Sequence, residues 1–115
     1  RIRSLRPRRL LEIGCGSGML LLRIAPHCEH YVATDVSGEA IRYLEDLLAG
    51  SALASRVTLH RAAAHELSAL PWGPFDTIVI NSVVAMFPGV DYLVGVLEQA
   101  LRQLAPGGVL FVGDV

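Results

Sequence analysis

The sequence predicts an α/β fold, a three-layer doubly wound parallel sheet with helices on both faces. Apolar strand-like segments alternate with segments in which apolar residues recur at helical spacing. The strand-like segments are apolar throughout, which is typical of parallel strands covered on both sides. Right-handed crossovers limit the strand order, and the simplest order is 3-2-1-4-5, truncated after the fifth strand.

Length and composition narrow the class of protein. The chain has 115 residues and begins with Arg, so we expect one domain over 1–115 that is part of a longer chain. Hydrophobic residues make up 52%, which excludes a disordered segment. No apolar run approaches the roughly 20 residues that span a membrane. The net charge of −1 argues against a nucleic-acid binder.

Cysteine and arginine usage add two expectations. Cys15 and Cys28 show no metal-ligand spacing, so we predict no metal site and free thiols in a reducing cytoplasm. All ten basic residues are Arg, and five of them fall within the first nine positions. We interpret residues 1–9 as a solvated helix or linker; a basic arm for phosphate is the alternative.

The first strand and helix flank a glycine-rich segment. Residues 10–14 are a short apolar run that ends in glycine, which predicts strand one. The apolar segment that begins at 17 or 18 predicts a helix to about His27, which Pro26 ends.

The next unit has the same order. His30–Asp35 is β-branched and aromatic, which predicts strand two. Ser37 is a suitable N-cap for a helix that continues to Gly50. Its apolar positions are Ile41, Leu44, Leu47 and Leu48. Residues 56–61 predict strand three.

The last third supplies two strands and a helix. A loop with two prolines, 70–74, precedes the apolar strand four at Phe75–Asn81. A helix over about 90–105 ends at Ala-Pro-Gly-Gly, and 109–113 is strand five. The expected helix face consists of Leu93, Val96, Leu97, Ala100, Leu101 and Leu104.

The glycine turn after strand one is the strongest functional signal. It has the pattern E-x-G-x-G-x-G, with Glu12 followed by glycines at 14, 16 and 18. Glycine permits positive φ and close approach of a ligand such as an adenosine group. A dinucleotide fingerprint G-x-G-x-x-G would need glycine at 19, where Met19 stands.

Polar residues follow the other strands at the same predicted edge. Asp35 ends strand two, where an acid can bind both ribose hydroxyls; a turn or cap aspartate is the alternative. Glu12 lies within the central strand, where a buried carboxylate needs a hydrogen bond. We interpret Glu12 as bracing the turn and facing the cationic end of a cofactor, rather than as a solvent-facing strand residue.

The remaining polar candidates are open between two interpretations. His65 or Glu66, after strand three, could contact adenine or be an exposed helix start. Asn81 and Ser82, after strand four, could face the reacting methyl group or cap the strand. Among the other candidates, we expect structural roles for His27, His30 and His60 and a packing role for Trp72.

Four segments together resemble class I S-adenosylmethionine-dependent methyltransferases. They are Leu-Leu-Glu-Ile-Gly-Cys-Gly-Ser-Gly, Thr-Asp-Val-Ser, Phe-Asp-Thr-Ile-Val-Ile-Asn and Leu-Ala-Pro-Gly-Gly-Val-Leu. Asn-Ser-Val-Val-Ala-Met-Phe-Pro-Gly-Val-Asp-Tyr-Leu and Phe-Val-Gly-Asp-Val further resemble methyltransferase domains embedded in nonribosomal peptide synthetases.

That resemblance implies N-methylation of an aminoacyl group held on a carrier protein, in natural-product biosynthesis, with neighbouring synthetase domains as partners. S-adenosyl-L-methionine is the implied cofactor and S-adenosyl-L-homocysteine its product. The predicted cofactor-binding set is Glu12, Gly14, Cys15, Gly16, Gly18, Asp35, Val36, Ala64, His65, Asn81 and Ser82. No catalytic base is predicted. The rival hypotheses are a nicotinamide-dependent oxidoreductase domain and a cofactor-binding module without catalysis.

Overall fold

A computed structural model of the chain describes residues 8–81 and 89–113, without the side chains of 67–69 and 81. Its five parallel strands form one sheet in the order β3-β2-β1-β4-β5, which confirms the predicted order. The strands are β1 (Arg9–Ile13), β2 (His30–Asp35), β3 (Val57–Arg61), β4 (Phe75–Asn81) and β5 (Leu104–Gly113).

Helices cover both faces of this sheet. The α-helices are α1 (Met19–Ile24), α2 (Gly38–Leu48) and α3 (Val90–Gln103), and short 3-10 turns lie at Ala25–His27, Ala52–Ser55 and Ala64–Ala69. The apolar residues of α1 and α2 pack with Leu10 and Tyr31 on one face. Val96 and Ala100 of α3 pack with Leu11 on the other face. The predicted three-layer architecture is therefore confirmed.

The register places the carboxyl ends of the inner strands side by side. In the central strand β1, Ile13 lies opposite Thr34 of β2 and Ile80 of β4. The residues that follow these strands therefore meet at one edge of the sheet, where ligands bind in open α/β folds.

Several predicted boundaries were wrong by a few residues. Helix α1 ends at Ile24, and Pro26 lies in the 3-10 turn that follows, where the missing amide hydrogen is tolerated. Strand β5 begins at Leu104 and not at 109. The Ala-Pro-Gly-Gly segment is an irregularity within β5, because Phe75 pairs with Leu104 whereas Thr77 pairs with Val109.

Two apolar positions were also assigned to the wrong side of their helices. Leu101 is 57% exposed, because it lies about 140° around the helix from the buried Val96. Leu47 of α2 is 45% exposed. Leu104, expected on the face of α3, belongs to β5.

The start of the described chain is tied to the amino edge of the sheet. The backbone amides of Arg8 and Arg9 both donate hydrogen bonds to Asp76 Oδ2, at 3.0 and 2.9 Å. The Arg8 guanidinium forms an ion pair with Glu29. The predictions for 1–7 and Ser82 lie outside the described residues. Within the described ranges, no helix is long and apolar enough to cross a membrane.

Candidate functional site

The glycine turn is anchored to the end of β2 by its own backbone. The amides of Gly14 and Cys15 both donate to the carbonyl oxygen of Thr34, at 2.8 and 3.0 Å. The amide of Gly18 donates to the carbonyl of Cys15 at 3.0 Å. All three glycines have positive φ, with values of 80°, 53° and 83° along the chain. The sequence therefore supplies glycine where the backbone needs it.

Two of these glycines have different surroundings. A Cβ atom placed on Gly18 would collide with the side chain of Leu44, so this glycine permits α2 to pack against the start of α1. A Cβ atom placed on Gly16 would meet no described atom within 4 Å. The backbone at Gly16 thus borders open space that a ligand can occupy.

Asp35 braces the glycine turn from the neighbouring strand. Its Oδ2 accepts a hydrogen bond from the amide of Gly16, and its Oδ1 accepts one from the amide of Ser37, both at 2.9 Å. The side chain is half-buried. The structure therefore supports the turn role that the sequence left open, while each carboxylate oxygen retains a lone pair for another donor. Ribose binding by Asp35 stays a prediction.

Glu12 is buried beneath the turn and not solvent-facing. It is only 2% exposed, and its Oε1 accepts a hydrogen bond from the Tyr31 hydroxyl at 2.6 Å. Burial raises the pKa of the Glu12 carboxyl to about 7; the bond from Tyr31 opposes this rise, and the Asp35 carboxylate adds to it. Strand pairing on both sides of β1 explains why the solvent-facing alternative is wrong.

The cysteine within the turn is a packing residue. Cys15 is buried and free, and burial raises the pKa of its thiol to about 12. Burial also raises the pKa of the Cys28 thiol, to about 11. Both groups are protonated at neutral pH and therefore weak nucleophiles. Contact of Cys15 with a cofactor stays a prediction.

The connection after β3 meets the first turn of α3. His65 Nδ1 lies 3.0 Å from the Tyr92 hydroxyl, with the two rings edge to face. Oε1 of Glu66 accepts a hydrogen bond from the amide of Ala63 at 2.7 Å, so this carboxylate stabilises the turn itself. Sequence reasoning missed Tyr92, because only the packing of the 3-10 segment against α3 reveals it. No local pattern marks such a contact.

The other predicted site residues lie at or after the ends of β2, β3 and β4, at the same edge of the sheet. Val36 is 61% exposed directly after Asp35, and its carbonyl oxygen accepts from Arg61 Nε at 3.0 Å. Ala64 is half-buried in the 3-10 segment. Asn81 ends β4.

Three histidines and Trp72 were expected to have structural roles, and the structure gives their surroundings. His30 Nε2 lies 2.7 Å from Thr58 Oγ1 on the neighbouring strand. His60 contacts the Trp72 ring edge to face, and Trp72 packs against the core on the α3 side. His27 is exposed at the end of a 3-10 turn.

Comparison with known proteins agrees with this geometry. A family described as methyltransferase domain matches residues 11–110. Chondramide synthase from Chondromyces crocatus is 54% identical over 109 residues, which is 95% of this chain and 3% of that protein. The nonribosomal peptide synthetase TES from Alternaria alternata is 36% identical over 110 residues, 95% of this chain and 2% of that protein.

A solved structure supports the same assignment. N-methyltransferase NodS from Bradyrhizobium japonicum, in complex with S-adenosyl-L-homocysteine, is similar with a TM-score of 0.82 and 25% identity. The similarity covers 96% of this chain and 54% of the NodS chain. Fold, glycine turn and comparisons define an α/β domain of the S-adenosylmethionine-dependent methyltransferase class. The chain belongs to the methyltransferase domain family.

Proposed function

We propose that this chain holds S-adenosyl-L-methionine at the glycine turn and directs its methyl group to the nitrogen of a carrier-bound aminoacyl group. The observation that carries the proposal is the open space at Gly16 beside the carboxylate of Asp35. The chain spans 3% of chondramide synthase and 2% of the nonribosomal peptide synthetase TES. We therefore also propose that the chain works as one domain of a multidomain synthetase.

The residues at this edge fit an adenosyl cofactor. The turn at Gly16 leaves room for close approach, and Asp35 has acceptor capacity for ribose hydroxyls. Val36 supplies exposed apolar surface directly beside Asp35. Ala64, His65, Asn81 and Ser82 complete the proposed set, together with Gly14, Cys15 and Gly18. The buried carboxylate of Glu12 lies beneath the turn and would face the amino end of the cofactor.

The chemistry divides simply between cofactor and protein. When bound, the cofactor supplies a methyl group already activated by the positive charge on its sulfur. The chain aligns this group and excludes water, which are the main contributions that a protein makes to such a displacement. A nitrogen acceptor must be neutral to react, and we assign no general base.

Two observations favour nitrogen in a synthetase setting. NodS is by name an N-methyltransferase, and TES is by name a nonribosomal peptide synthetase. We therefore propose neighbouring synthetase domains and a carrier protein as partners, and no nucleic acid or membrane. The free thiols of Cys15 and Cys28 suit a reducing cytoplasm.

Calorimetric titration with S-adenosyl-L-homocysteine, beside NAD, tests the cofactor assignment. We expect micromolar binding of the homocysteine product and no binding of NAD. Asp35→Ala should weaken product binding at least about tenfold, because the turn loses its brace and the ribose its acceptor.

Asp46→Ala is the matched control, since this carboxylate is exposed on α2. It should bind as the unchanged chain does. Binding of NAD alone, or equal loss in both variants, would contradict the proposal.

The acceptor is tested with carrier-bound and free aminoacyl compounds and the labelled cofactor. The protein assayed is this chain together with its proposed synthetase neighbours. Transfer to oxygen or carbon only would contradict nitrogen as the acceptor. Cofactor binding without transfer to any acceptor would favour a module without catalysis.

A further inference from the structure

The Glu12 carboxyl is an unusual group to bury beneath a turn. It points to the face of the sheet that α1 and α2 cover, because its register partners Ala33 and Val79 both lie in that core. The buried side chains that the two helices contribute to this core are Leu21, Ile24, Ile41, Leu44 and Leu48. Among the described residues, no polar or charged side chain of either helix is buried.

The polar groups around Glu12 come from β2 and the glycine turn. Tyr31, which is fully buried, donates its hydroxyl hydrogen to Glu12 at 2.6 Å. The Asp35 carboxylate and the Cys15 thiol also interact electrostatically with Glu12. Neither a carboxyl group nor a thiol can carry a positive charge, so Asp35 and Cys15 offer no cation to a buried carboxylate.

We propose that Tyr31 is a positioning residue for the cofactor site, and that the Glu12–Tyr31 pair makes cofactor binding release a proton to solvent. This inference rests on the proposed function. A cationic amino group of the bound cofactor would supply the positive charge that Glu12 lacks, and Glu12 would then stay ionised in the bound state. The Tyr31 hydroxyl fixes the carboxylate and stabilises its ionised form by hydrogen bonding.

The pKa of Glu12 in the free protein determines the pH range in which binding releases a proton. Because burial raises the pKa of Glu12 to about 7, the free protein carries part of a proton there at neutral pH. Binding should therefore release about one half of a proton at pH 7, close to one at pH 6 and almost none at pH 8.5. The apparent affinity should fall by up to about tenfold per pH unit below pH 7.

The measurement is calorimetric titration with S-adenosyl-L-homocysteine in pairs of buffers that differ in ionisation enthalpy. The difference in observed heat within a pair gives the number of protons released. Glu12→Gln should abolish the release at every pH, because the variant has no proton to lose. Release that persists in Glu12→Gln would assign the proton to another group and overturn the inference.

Tyr31→Phe tests the positioning role. Without the hydroxyl, the ionised form of Glu12 loses its donor, so the midpoint of proton release should move up by about one pH unit. Tyr43→Phe is the matched control, since Tyr43 is 57% exposed on α2, and its midpoint should equal that of the unchanged chain. An unmoved midpoint in Tyr31→Phe would overturn the role of Tyr31.

The outcomes also separate this inference from the proposed function. Binding without proton release would overturn the inference alone, whereas absence of binding would overturn both. If Tyr31→Phe does not fold, carboxyl carbon NMR of the unchanged chain supplies the second measurement. The Glu12 signal, identified by its absence in Glu12→Gln, should titrate near pH 7 in the free protein and at lower pH with the ligand. An identical midpoint in both states would contradict the inference.

Discussion

Gly16 and Gly18 both lack a Cβ atom, but this has different consequences for the molecule at the two positions. Both have positive φ, which costs any other residue about 1–2 kcal/mol. At Gly18 the missing Cβ lets Leu44 of α2 approach, whereas at Gly16 it leaves space next to the backbone. One glycine thus serves packing and the other ligand access.

Alanine at each position should separate these roles. Gly18→Ala should lower the free energy of unfolding by about 1–3 kcal/mol more than Gly16→Ala, because its Cβ collides with Leu44. Gly16→Ala should retain the fold and weaken S-adenosyl-L-homocysteine binding by about tenfold or more. Urea denaturation and calorimetry measure the two effects.

Gly50→Ala is the control for backbone cost alone. Gly50 also has positive φ, and a Cβ there meets no described atom within 4 Å. It lies beyond α2, away from the turn, so its alanine variant should bind as the unchanged chain does. If Gly50→Ala weakens binding as strongly as Gly16→Ala, open space at Gly16 is not what matters.

Sequence reasoning located the acids of the site but not their partners. Glu12 and Asp35 stand out because Glu and Asp are depleted in strands, and both lie in otherwise apolar strand segments. Tyr31 looks like an ordinary buried aromatic residue of β2. Its hydroxyl reaches Glu12 only because the two strands pair in one register, which places both side chains on the same face.

At the scale of elements, Asp76 joins the start of β1 to β4. Its carboxylate accepts hydrogen bonds from the amides of Arg8 and Arg9, and from the Thr77 hydroxyl at 2.9 Å. These contacts lie at the amino edge of the sheet, opposite the glycine turn. They hold the start of the central strand β1 beside β4.

Asp76→Ala should therefore affect stability and not ligand binding. We expect a loss of about 1–2 kcal/mol in the free energy of unfolding, because two backbone donors lose a charged acceptor. Asp46→Ala should change it by less than about 0.5 kcal/mol. The dissociation constant of S-adenosyl-L-homocysteine should stay the same in both. A marked weakening in Asp76→Ala alone would show that the two edges are coupled.

The elements also show where local patterns fail. The Ala-Pro-Gly-Gly segment indicates a helix end, and α3 does end before it. The pairing of Leu104 with Phe75 brings the same segment into β5. That pairing depends on a neighbouring strand about 30 residues away, which no local signal encodes.

For the whole molecule, the fold was predictable and the site only in part. Strand order followed from apolar strands, alternating helices and the handedness of crossovers, which are properties of the entire chain. The polar groups that follow the strands could be assigned to one edge. Contacts between connections, such as that of His65 with Tyr92, depend on packing distances that the sequence does not give.

The labelling rates of the two buried cysteines can report how often their surroundings open. Cys15 is 5% exposed in the glycine turn, and Cys28 is 2% exposed with its Sγ donating to the carbonyl of Ile24 at 3.5 Å. Since protonated, buried thiols react slowly, a disulfide reagent should modify each one only when its surroundings open.

The two labelling rates then report two openings of neighbouring regions. S-adenosyl-L-homocysteine should slow the labelling of Cys15 more than that of Cys28, because the ligand seals the turn directly. Mass spectrometry of the peptides that carry each thiol measures both rates in one sample. Equal slowing would mean that both thiols become accessible only when the entire domain unfolds. Unequal slowing would mean that the glycine turn opens locally, without opening of the core around Cys28. A cofactor could then enter and leave while the rest of the core stays closed.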